Sequence, residues 1–212
     1  MKKVIIALLM IGAMGWSVPS MAGTNGLIHM PAAVAVQYKE YDLGVNFQNS
    51  QTAKTGQYFA NLGILDGFEL GFIGNTQQEG VFVNVKYYML SDKSEYPLGL
   101  ATGITGLTSY SNTNLYMVVS KAFPNKLSGH FGFRSNLNSA TIKAEVMFGV
   151  EMKMGEQLNF VSDIIGSDTA WDLSAGLRIK LSEDLMLNGY LEDILNSNDA
   201  KFTLGFSYHG IL

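Results

Sequence analysis

Apolar and polar residues alternate with a period of two along most of this chain. From Glu40 onward the pattern breaks into twelve segments, near 40–48, 56–65, 67–74, 80–90, 97–105, 113–123, 127–134, 140–153, 157–165, 169–181, 184–192 and 200–209, separated by turn residues. A period of two sends successive side chains to opposite faces of a β-strand, and helical spacing cannot produce it. In the clearest segment Ile142, Ala144, Val146, Phe148, Val150, Met152 and Met154 share one face. Thr141, Lys143, Glu145, Met147, Gly149, Glu151 and Lys153 share the other. Trp171, Leu173, Ala175, Leu177 and Ile179 alternate with Asp172, Ser174, Gly176, Arg178 and Lys180 in the same way, and the last segment sets Phe202, Leu204, Phe206 and Tyr208 against Lys201, Thr203, Gly205 and Ser207. The segments at 80–90 and 157–165 alternate less cleanly.

The connections show a second regularity. Leu65-Asp66-Gly67, Pro124-Asn125-Lys126, Gly155-Glu156-Gln157 and Ser182-Glu183-Asp184 are tight turns that fall at one end of the sheet. The opposite end carries mostly longer, Ser-, Asn-, Thr- and Gln-rich connections, including 49–54, 75–79, 108–112, 135–139 and 193–199. Short periplasmic turns with longer outer loops are the habit of outer-membrane barrels. The connection at 91–96 is longer than its tight companions, and that at 166–168 is shorter than the other outer loops.

Alternation alone does not separate a membrane barrel from a soluble β-sandwich, which also buries one face of each strand. Several modest signals together make the choice, beginning with the start of the chain. Lys2 and Lys3 precede an apolar run from Val4 to Trp16, and Ser20-Met21-Ala22 places small residues where a signal peptidase reads. Residues 1–22 are therefore expected to be a cleaved signal peptide, 23–39 an irregular segment and 40–212 an outer-membrane barrel. The stretch from Gly23 to Gln37 reads equally as a strand, a lumenal plug or a periplasmic arm, although Pro31 and its small neighbours suit an irregular path better than a ladder strand. An even strand count, segments near the nine to eleven residues that cross hydrocarbon, and an aromatic final strand complete the expectation. That expectation is an all-β, antiparallel up-and-down transmembrane β-barrel of about 12 strands. Its aromatic girdle would include Tyr41, Tyr58, Tyr87, Trp171 and Tyr208.

Composition narrows the partners. Only 15% of residues are charged, and there is no cysteine, so thiolate metal sites and disulfides are excluded. Removing Lys2 and Lys3 takes the net charge from −4 to −6, which argues against nucleic acid. The expected partners are the lipid bilayer of the outer membrane and the barrel-assembly machinery that reads the alternating final strand. No cofactor and no metal are expected.

Gly26-Leu27-Ile28-His29-Met30-Pro31-Ala32-Ala33 resembles the glycine-leucine-isoleucine, two residues, proline, small, alanine opening of YjbH-like outer-membrane proteins. Glu40–Phe47 resembles the strand that follows in that family, and Asn61–Gly71 resembles its hairpin. The resemblance covers roughly the first fifty residues after the signal peptide. It implies an outer-membrane location and a role beside envelope exopolysaccharide machinery, and it names no catalytic residue.

Enzymatic chemistry finds little support. The histidines His29, His130 and His209 are far apart in sequence, and His130 shares a strand face with Ser128 and Arg134 without any nucleophile-elbow motif. The inward polar face is more informative. Asp42, Glu69, Lys86, Arg134, Lys143, Glu145, Glu151, Lys153, Asp172, Arg178, Lys180, Glu192 and Lys201 are the candidate lumen-lining residues. They would form either a narrow charged conduit or a self-neutralising pillar that seals the barrel. The first reading is a pore or transport channel; the second is a sealed structural barrel serving envelope machinery; a rim hydrolase is a third.

Overall fold

The computed structural model describes residues 26–50, 53–77, 80–90, 98–109, 112–138, 144–168, 170–195 and 200–212. The expected signal peptide at 1–22 and the candidate Lys143 lie outside these residues. The described strands are β1 (Glu40–Ser50), β2 (Lys54–Leu65), β3 (Phe68–Asn75), β4 (Val81–Leu90), β5 (Gly99–Thr105) and β6 (Asn114–Ala122). They continue with β7 (Leu127–Asn136), β8 (Ala144–Lys153), β9 (Leu158–Gly166), β10 (Trp171–Lys180), β11 (Leu185–Glu192) and β12 (Lys201–Ile211). Each strand pairs antiparallel with its sequence neighbours, and β1 pairs with β12 from Glu40↔Ile211 to Ser50↔Lys201, so the sheet closes on itself. Closure is the physical requirement of a lipid-facing sheet, because hydrocarbon offers no partner to the N–H and C=O groups of an edge strand.

The alternation decides which way each face looks. Phe47, Leu115, Met117, Phe131, Phe133, Phe148, Val150, Leu177, Leu204 and Phe206 all stand on the outer surface. A soluble sandwich would bury such residues against a second sheet, and here there is one sheet with its apolar side out. Phe131 packs with Phe133 and Phe148 midway along β7, while two aromatic pairs lie at the end where β1 begins and β12 finishes: Tyr41 with Tyr208, ring centroids 6.3 Å apart, and Phe68 with Tyr87 at 5.4 Å. Amphipathic rings suit the headgroup level there. The turn between β2 and β3 uses Gly67 at φ +75°, the left-handed conformation that glycine adopts without Cβ strain.

The buried core lies inside the barrel. Leu27, Ile28, Met30 and Ala33 from the segment before β1 pack with Ala101 of β5, Tyr116 and Val118 of β6, Met147 of β8, Val161 and Ile165 of β9 and Tyr190 of β11. Tyr88 of β4 packs against the same cluster. Of the three paths open to the N-terminal segment, the structure has the one inside the lumen, from Gly26 to the rim near Gln37. This explains the two uneven strands. β9 carries Phe160 and Ile164 on its outer face and buried Val161 and Ile165 on its inner face, while β4 turns Phe82 and Tyr88 inward, so apolar residues are needed on both sides.

Candidate functional site

The lumen is organised around residues 26–37. Leu27 N–H donates to Met30 C=O at 2.8 Å, and Gly26 bridges Pro31, which closes a small turn. The turn aims three successive amides at one carboxylate oxygen: Asp163 Oδ2 accepts from Ile28 (2.8 Å), His29 (2.7 Å) and Met30 (3.0 Å). Converging main-chain N–H groups form a concavity suited to an anion. Pro31 follows directly, where a residue lacking an N–H adds no further donor to satisfy. On the carbonyl side Arg178 Nη2 donates to Gly26 O at 2.6 Å and Leu27 O at 2.8 Å, while its Nε donates to Tyr190 Oη at 3.0 Å.

Toward the rim the pattern repeats with other side chains. Ala33 N–H donates to Ser120 Oγ at 2.8 Å, Val36 N–H to Glu69 Oε2 at 3.0 Å, and Lys86 Nζ to Val34 C=O at 3.0 Å. Glu69 and Lys86 are register partners and lie 3.5 Å apart, so the acceptor and the donor are set by one strand pair. The chain then leaves the lumen through Lys39, whose φ is 69° and whose N–H donates to Gly63 C=O at 3.0 Å.

Glycines make room for this path. A Cβ on Gly63 would stand 1.8 Å from Gln37 O, one on Gly149 would stand 2.0 Å from Leu27 Cδ1, and one on Gly99 would stand 3.0 Å from Ala33 O.

At the far end His29 Nε2 lies 3.2 Å from Glu192 Oε2. Burial works against protonation of His29, but the hydrogen bond and charge of Glu192, with Asp163 and Asp193 behind it, outweigh that and hold its pKa above the ordinary 6.5. Glu192 also accepts from Thr203 Oγ1 and, at 2.8 Å, from Gln48 Nε2.

The candidate lining residues divide into three groups. Glu69, Lys86, Arg178 and Glu192 are buried and hold the N-terminal segment. Asp42, Arg134, Glu145, Glu151 and Lys201 bond within the wall: Asp42 to His209 at 2.8 Å, Arg134 to Glu145, Glu151 to Asn159 at 3.1 Å and Lys201 to Asp193 at 2.6 Å. Lys153, Asp172 and Lys180 are exposed at strand ends. Between these charged positions much of the inner wall is apolar and meets the internal segment. Asp163 and Ser120 are the anchors that strand-by-strand pattern reading misses. The available signal was a single carboxylate set between Val161 and Ile165 in a strand apolar on both faces.

The wall is uneven around its circumference. The hydrogen bonds and ion pair holding residues 26–36 come from β3, β4, β6, β9, β10 and β11. The contiguous arc β12–β1–β2 is mainly polar inside, with one buried ring, Phe59, over Gly44, and is tied to itself and to β11: Asn46 donates to Gln57 at 3.3 Å, and Asn188 bonds Ser207 at 3.3 Å. Asn46, Gln48 and Gln57 keep partial exposure, and Val34 of the segment is 50% exposed.

His130 meets Ser120, whose Oγ is 2.7 Å from Nδ1, and not Ser128. That hydroxyl already accepts the Ala33 amide, and His130 Nε2 has no hydrogen-bond partner among the described residues. A nucleophile whose oxygen is engaged, beside an imidazole that no third group orients, lacks the geometry of a hydrolase triad.

No family model matches the chain, including any for the YjbH-like family that its opening resembles, and no curated protein matches it. Solved structures do. A KdgM porin is 13% identical with a TM-score of 0.63, covering 79% of this chain and 98% of its own. A second structure is described as KdgM porin in complex with disordered oligogalacturonate, at 14% identity and a TM-score of 0.58. A NanC porin is 12% identical, covers 79% and 98% of the two chains and has a TM-score of 0.58. The outer-membrane protein Omp33 of Acinetobacter baumannii is 7% identical, covers 84% and 100%, and has a TM-score of 0.55. The chain thus has the closed, apolar-sided barrel fold of outer-membrane porins.

Proposed function

We propose that the protein is a porin-like outer-membrane channel for small neutral or cationic polar solutes, exported by a signal peptide over residues 1–22 and inserted by the barrel-assembly machinery. The observation that carries this reading is the polar arc β12–β1–β2, whose inner side chains bond to one another and leave partly exposed polar groups along one side of the lumen. The solute class follows from sign. Among the described residues Asp42, Glu69, Glu145, Glu151, Asp163, Asp172 and Glu192 occupy inward-facing positions, against Lys86, Arg134, Lys153, Arg178, Lys180 and Lys201. Lys153 and Lys180, at strand ends, lie at the rim, while the buried wall keeps its acid excess. A wall with no excess of basic side chains gives a polyanion little attraction, so an oligogalacturonate of the kind bound by the KdgM porin fits this wall poorly.

Reconstitution into planar bilayers under a salt gradient tests the reading. Discrete steps with a cation-selective reversal potential are expected, and anion selectivity would remove the solute class. A second reading, a sealed barrel beside envelope polysaccharide machinery, draws support from the filled half of the lumen and from the YjbH-like opening. Electrical silence from folded protein favours it.

A further inference from the structure

We propose that the inner wall of the barrel is a peptide-binding site, that residues 26–37 are its resident ligand, and that release of this segment opens the lumen. Only the last clause rests on the channel reading. Nine hydrogen bonds from wall side chains end on main-chain atoms of this segment, at the amides of 28, 29, 30, 33, 36 and 37 and the carbonyls of 26, 27 and 34, beside the side-chain contact of His29 with Glu192. A wall that reads backbone groups recognises a conformation, as strand-addition sites do. Side-chain fit is added by apolar contact, since Leu27 and Met30 seat over Gly149 and Ala33 over Gly99.

The arrangement differs from that of a strand. Residues 26–38 share no strand ladder with the barrel and join it covalently through Lys39. Withdrawal of the segment breaks no strand pairing, and the twelve-strand ring can persist without it. It would release the bonds that Asp163, Glu69, Ser120, Arg178 and Lys86 make to the segment's main chain, while the wall contacts Glu69–Lys86, Ser120–His130 and Arg178–Tyr190 hold those side chains in place to take an extended peptide again.

The experiment uses two proteins. In the first, Ala33→Cys and Gly99→Cys are combined. Ala33 Cβ lies 3.4 Å from where a Cβ on Gly99 would stand, close to the spacing of a disulfide, and the chain has no other cysteine. Oxidation should pin the segment and lower time-averaged conductance at least fivefold, and reductant should restore it. The second protein lacks residues 26–36 and is titrated with a fluorescent peptide of residues 26–37, with folding checked by heat-modifiable gel mobility. Saturable binding is expected, together with block of an otherwise persistent conductance. A peptide N-methylated at His29, which keeps every side chain but loses one amide donor to Asp163, should bind at least tenfold more weakly.

Absence of saturable binding to the folded truncated barrel overturns the site, whatever the conductance does. Equal conductance of the oxidised and reduced disulfide protein overturns the gating. Silence of every folded variant, with peptide still bound, counts against the channel reading and upholds the site. Failure of the truncated barrel to fold overturns the segment's role as a separable ligand, and the disulfide protein, which retains the whole segment, still decides the gating.

Discussion

Strands β9 and β12 belong to one sheet and present the same kind of outer face, yet their inner faces have little in common. Outside, β9 carries Phe160 and Ile164, and β12 carries Phe202, Leu204, Phe206 and Tyr208. Inside, β9 sets buried Val161 and Ile165 around Asp163, whereas β12 offers Thr203, Gly205 and Ser207. Lipid makes the same demand of every strand, so the outer face is uniform. The inner face answers to whatever lies across the lumen, which is residues 28–30 for β9 and neighbouring wall side chains for β12. Departure from clean alternation in a barrel strand thus marks an internal partner.

Asp163→Ala should break the β9 side of this contrast most severely. Three amides, two of them buried, lose their acceptor, at about 1–3 kcal/mol for each buried one, and protease access to residues 26–37 in the folded barrel should rise sharply. Met147→Ala should come next. Met147 is fully buried against the segment, and truncation of such a core side chain costs about 2–5 kcal/mol, readable by urea titration in lipid vesicles. Its neighbour Phe148 faces outward, and Phe148→Arg should cost about 2–4 kcal/mol near the bilayer midplane. That loss should appear as impaired insertion with the docking of residues 26–37 unchanged in the molecules that do insert. On the β12 side Ser207→Ala should cost less than about 1 kcal/mol, since its partner Asn188 loses a single neutral hydrogen bond.

The smallest effect is the pH dependence of docking. Because the pKa of His29 is raised in the folded barrel, its ion pair with Glu192 contributes fully below the unfolded value of about 6.5 and is lost as pH rises through the raised value. Protease protection of residues 26–37 should therefore weaken from mildly acidic toward alkaline pH. His29→Gln should flatten that slope, and a slope that survives the substitution would assign it to another group.

The strands were legible in the sequence because a period of two is a local property. Eleven of the twelve expected segments match described strands to within a few residues, and β8 matches from Ala144 onward, with 140–143 outside the described residues. The outward aromatics were legible for the same reason: Tyr58, Tyr87, Trp171 and Tyr208 all lie on the exposed face. The lining residues were legible as to face and much less so as to role. Arg178 and Lys86 were expected to line a lumen, but what they bind is the main chain of residues more than fifty positions away. A backbone carbonyl has no sequence signature, so no pattern could name it as their partner. Asp163 stayed hidden because its strand is apolar on both faces and offers no alternation to read.

By itself the sequence determined the strands, their number and the face each turns to lipid, because these follow from side-chain alternation against a uniform solvent. The path of residues 26–37, the identity of Asp163 and Ser120 as its anchors, and the division of the lumen into a filled side and a polar arc were decided only on closure. Until β1 meets β12, the inner side chains of β3, β6, β9 and β10 do not converge on one volume, and the main-chain groups they bind have no fixed place.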